Sequence, residues 1–102
     1  MPDPIEAPTS DVRLKKLRFR AWHRGFREAD LILGPFADQQ LADLSNAQLD
    51  AFETLIDQPD HDLYGWIVGQ AEAPAAFRGE MLDRLRQFRL SLPTARGDAA
   101  GA

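Results

Sequence analysis

An all-α fold, a compact five-helix bundle with short connections, is what this 102-residue sequence predicts, on three observations. Large apolar residues recur every three or four positions along most of the chain, the spacing that lines one face of an α-helix. No stretch alternates apolar and polar side chains as a half-buried strand does. Helix start and stop signals fall at the ends of the periodic segments. A chain of this length holds one hydrophobic core with little room for a second. The expected organisation is a single helical-bundle domain over residues 10–93, between a disordered leader (1–9) and a disordered small-residue tail (94–102).

The first helix is expected from Asp11 to Arg24, with Ser10 as N-cap and Gly25 as the left-handed residue past its end. Leu14, Leu17 and Ala21 form its apolar stripe, widened by Phe19 and Trp22. The second starts near Phe26 and reaches Leu44, carrying Ala29, Ile32, Leu33, Phe36 and Leu41 inward. Gly34–Pro35 interrupts it, and proline's missing amide and its clash with the preceding turn predict a kink or a break. Ser45 opens the third helix, and Gln48 three residues on completes a capping box. Its buried face is Leu49, Phe52, Leu55 and Ile56. The fourth runs from Asp60 to about Gln70 with Leu63, Trp66 and Ile67 inward. The fifth, about Ala75 to Leu92, has Phe77, Met81, Leu85, Phe88 and Leu92 on one stripe, and Pro93 stops it. Short links between helices of this length pack neighbours antiparallel or at steep angles.

Composition removes several function classes. The balance of 12 basic and 16 acidic residues gives −4, which makes no claim on a polyanion. There is no cysteine, hence no disulfide, thiolate metal site or cysteine nucleophile. No apolar run approaches the roughly 20 residues of a membrane span. The beginning, MPDPIEAPTSD, has Pro and acid where a secretory signal needs Lys or Arg and an apolar stretch. A soluble cytoplasmic protein is the expectation.

Catalytic patterns are missing. His23 and His61 are the only imidazoles. Asp60-His61-Asp62 has the residue types of a weak divalent site, but an N-cap followed by acids complementing a helix dipole explains it more cheaply. The serines stand at helix ends and outside any nucleophile elbow, and no glycine-rich phosphate loop is present. The chain reads as a binding protein and not as an enzyme, with no metal site.

Charge is segregated. From Arg13 to Arg27 there are seven basic residues and no acid; from Glu28 to Phe77 there is no Lys or Arg. Intramolecular pairing of basic outer helices with acidic middle ones is the favoured account, ahead of a protein-binding face and then of nucleic acid on the first helix with Phe19 and Trp22 interleaved. The stretch HRGFREAD (23–30) marks the boundary. Arg24 suits a helix C-terminus, Gly25 the turn, and Glu28 the first turn of the next helix.

Those residues also carry a resemblance. Arg24-Gly25-Phe26-Arg27-Glu28, then Asp30, the acidic helix, Ser45 with Leu49, Phe52 and the Leu55-Ile56-Asp57 end, and finally Asp62-Leu63-Tyr64-Gly65-Trp66-Ile67, follow one another as in the succinate dehydrogenase assembly factors, small flavinylation factors with an RGxxE motif. The likeness spans roughly residues 12–90. It implies a five-helix bundle that binds the flavoprotein subunit of succinate dehydrogenase, and in some bacteria of fumarate reductase, and promotes covalent attachment of FAD there. It implies a partner contact at Arg24, Gly25 and Glu28, with His23, Phe26 and Asp30 beside them. The family commonly has Arg at the position of His23 and Met at that of Phe26. Arg24 and Glu28 are expected to face outward as donor fork and acceptor. No tightly bound FAD, no nucleic acid, no membrane insertion and a free monomer are the accompanying expectations. The rival from another class is a generic interaction module, antitoxin-like or inhibitory, using the acidic helices.

Overall fold

The computed structural model describes residues 11–92. Five α-helices follow in order: α1 (Asp11–Trp22), α2 (Arg27–Gln40), α3 (Asn46–Ile56), α4 (Asp60–Val68) and α5 (Glu80–Ser91). Single 3-10 turns at Leu41–Asp43 and Ala75–Phe77 lead into α3 and α5. Among the described residues there is no strand, as the spacing predicts. Ser10, Pro93 and both expected terminal segments lie outside the described residues.

The core forms where the predicted stripes meet. Phe36 of α2 is fully buried between Phe52 of α3, stacked at a centroid distance of 5.5 Å, and Phe88 of α5, edge-on at 5.4 Å. Leu33, Leu41, Leu49, Leu63, Leu82 and Leu85 close around these rings. Each buried side chain of this size contributes roughly 1.5–3 kcal/mol. No polar or charged residue is fully buried among them.

The start of α3 is as expected. The Ser45 hydroxyl accepts from the Gln48 amide at 3.1 Å, and the Gln48 side chain accepts from the Ser45 amide at 2.9 Å. Three expectations are corrected. Pro35 does not break α2, which runs unbroken through it. The residue before it is Gly34, whose missing Cβ relieves the clash that drives a pre-proline residue out of the helical region. Gly34 is also where the Trp22 indole lies, so close that a Cβ there would stand 2.2 Å from the ring. The fifth helix begins at Glu80, not Ala75, because extended Arg78 ends the 3-10 turn and Gly79, at φ +149°, stands before the first turn of α5. Phe77 belongs to that turn and stacks on Trp66 at 5.3 Å. Phe19 does not widen the buried stripe of α1; it is 63% exposed.

The charge segregation resolves into ion pairs between α1 and its neighbours. Arg13 reaches Asp50 (2.7 Å) and Glu53 (3.2 Å), and Arg20 reaches Glu53 and Asp57, all on the facing side of α3. The hydrogen bond from Arg13 to Asp50 holds that guanidinium above its ordinary pKa, against desolvation that lowers it and with a lesser upward contribution from Glu53. These are half-exposed surface pairs of modest worth, and their effect is to set how α1 lies along α3.

Candidate functional site: the corner between the first two helices

The corner is short. The α1 helix ends at Trp22, Gly25 turns the chain at φ +85°, and Arg27 begins α2. At +85° a side chain meets strain, and the space around Gly25 is open, with no atom within 4 Å of where a Cβ would stand. The carboxylate of Asp30, one turn into α2, accepts the backbone N–H of Arg24 at 3.1 Å and stitches the turn closed.

The side chain of Arg24 faces inward, contrary to expectation. It is 8% exposed and donates three ways: Nε to Asp60 at 2.7 Å, one terminal nitrogen to the Ile56 carbonyl at 2.5 Å and the other to the Gln58 carbonyl at 2.7 Å. Helix α3 carries no cation in its own last turn, so its end carbonyls need a donor from elsewhere. Arg24 supplies it and neutralises an acid in the first turn of α4. A planar fork matches three acceptors in one place as a lysine cannot.

Phe26 docks beside it, half-buried, with its ring 4.8 Å from His61 and 5.2 Å from Tyr64 of α4. Thus the RGxxE segment and the segment Asp62–Ile67, far apart in sequence, share one surface. Asp60 is spent on Arg24, and the α4 N-cap is Pro59, without a side-chain capping bond. His61 and Asp62 are exposed. Among the described residues no group of His and acids is arranged to hold a metal ion.

Outward, the corner presents His23, Gly25, Arg27 and Glu28, all exposed. Glu28 makes no hydrogen bond or ion pair among the described residues. His23 contacts the Phe19 carbonyl through Nδ1 at 2.8 Å and stacks on the Phe19 ring at 4.1 Å. Of the six residues expected at the contact, three are exposed (His23, Gly25, Glu28) and three hold the corner in shape (Arg24, Phe26, Asp30). Sequence reasoning missed the role of Asp60; the available signal was an acid in the first turn of α4 within fifty residues that hold no cation of their own.

Against known proteins, the model of the family described as the flavinator of succinate dehydrogenase matches residues 15–89. Succinate dehydrogenase assembly factor 2, mitochondrial, of Dictyostelium discoideum is 41% identical over 68 residues, 67% of this chain and 48% of its own. The protein of that name from Danio rerio is 34% identical over 80 residues (76% and 51%), and that from Cryptococcus neoformans 30% over 90 (85% and 51%). The chain therefore spans about half the length of the curated relatives it matches. Their names are mitochondrial, and this overturns the expectation of a cytoplasmic protein. Among the described residues no helix is long and apolar enough to cross a membrane.

Proposed function

The chain belongs to the family of flavinators of succinate dehydrogenase, and from that membership we propose that it is an assembly factor that binds the flavoprotein subunit of that enzyme and promotes covalent FAD attachment to it. The observation that carries the reading is the family match, which takes in the whole corner and the α4 segment packed against it.

The chain's contribution is positioning. Covalent attachment requires a side chain of the flavoprotein and the flavin held within reach of each other, and fixing such a geometry lowers a barrier without any bond-making by the helper. Gly25, bare and open on its outer side, admits the partner's backbone closely. Glu28 offers a free carboxylate to an N–H or guanidinium of the partner. Arg24 acts from behind, holding the corner against the α3–α4 junction. FAD stays with the flavoprotein in this reading, since the chain carries no glycine-rich phosphate loop to hold it.

A deletion strain tests this directly. Expression of this chain is expected to restore covalent flavin fluorescence to the flavoprotein band of a denaturing gel. A band equally bright without the chain contradicts the reading.

A further inference from the structure

Helix α1 has four faces, and three are occupied. Leu17 and Ala21 enter the core, Arg13 and Arg20 pair with α3, and Arg18 and Trp22 turn to Asp38 of α2. The fourth bears Val12, Lys16, Phe19 and His23, spaced four, three and four apart, with Lys15 alongside. Val12 is 60% and Phe19 63% exposed, two of the four large apolar side chains left in solvent among the described residues.

Two cations without an ion pair among the described residues, Lys15 and Lys16, lie here too. Of the seven basic residues from Arg13 to Arg27, four are paired with acids: Arg13, Arg18, Arg20 and Arg24. Lys15, Lys16 and Arg27 form no ion pair among the described residues and are exposed. Two of these cations flank an aromatic ring already fixed by its stack on His23. A preordered aromatic ringed by charge is how an interface anchor is built, because little side-chain freedom remains to be lost.

We propose that this outer face of α1 is a second docking surface, which takes an acidic, partly apolar patch of the same flavoprotein that the corner engages. This rests on the function proposed above. A protein patch fits better than a polynucleotide. The chain carries −4 overall, and the acid row Asp50, Glu53 and Asp57 lies beside α1 on α3. Those acids are held by Arg13 and Arg20, so the free positive charge of this face is confined to Lys15 and Lys16, a span that a compact acidic patch matches and a long polyphosphate exceeds.

The test is calorimetric binding of the full chain to the purified flavoprotein subunit at low and high salt. Phe19→Ala is expected to weaken binding by about tenfold or more at both. The double variant Lys15→Glu, Lys16→Glu is expected to weaken it about tenfold at low salt and to approach wild type at high salt. Both should melt like wild type, since these side chains are exposed. Wild-type binding matched by both variants overturns the inference and leaves the assembly-factor reading standing. Failure of the wild-type chain to bind removes that reading, and the inference with it. A single-stranded oligonucleotide that binds wild type and is lost by the lysine variant, with flavoprotein affinity unchanged, overturns the choice of occupant.

Discussion

Three acceptors converge on Arg24, the carbonyls of Ile56 and Gln58 and the carboxylate of Asp60, and nothing else within its turn can reach them. Truncation strands all three. Arg24→Ala is therefore expected to cost about 1–3 kcal/mol, the range for leaving part-buried acceptors without a partner. Urea unfolding measures this directly, and Arg24→Lys should recover only part of it, because one ammonium cannot span the fork's geometry. Gly25 differs in kind. Its φ of +85° strains any side chain by roughly 1 kcal/mol, but the open space around it leaves the fold intact. A substitution there thus reports on partner approach more than on folding. The sequence marked both residues through their company in the motif. It did not show that one faces in and the other out, because the partners of Arg24 lie more than thirty residues away.

Between elements, the α1–α2 pair depends on the contact of Trp22 with Gly34. The indole lies on the glycine's backbone and donates to Asp38 at 3.2 Å, so it has little freedom to retreat. Gly34→Ala is expected to destabilise by about 2–3 kcal/mol through this overlap, read as a lower melting temperature. Ser45→Ala, which removes the hydroxyl of the α3 capping box, should cost about 1 kcal/mol by the same measurement. That box was legible because its two residues are local and their chemistry is specific. The passage of α2 through Pro35 was not, since proline's missing amide and its clash with the preceding turn signal a break, and Gly34 relieves only the further clash with the preceding residue. The start of α5 was misplaced because Phe77 and Met81 keep helical spacing while Gly79 turns the chain between them.

At the scale of the molecule, the separation of charge along the chain becomes a division of surface. Arginines of α1 that meet acids of α3, and Arg24 of the corner that meets Asp60 of α4, fasten the bundle, while Lys15 and Lys16 stay exposed beside Phe19. The bundle and nearly all its core were legible from periodicity, since each helix buries one continuous stripe. Phe19 was read as widening the stripe on its apolar character alone; two residues from both Leu17 and Ala21, it stands on the opposite side of α1. The central claim is that the corner is a docking surface whose exposed carboxylate belongs to a partner. The most direct test is Glu28→Ala, assayed for covalent flavin on the flavoprotein in a deletion strain and for its own melting temperature. The account predicts an unchanged melting temperature with flavinylation reduced about tenfold or more, the scale of losing a charge-assisted contact at an interface. Full flavinylation by a normally folded Glu28→Ala protein would contradict it.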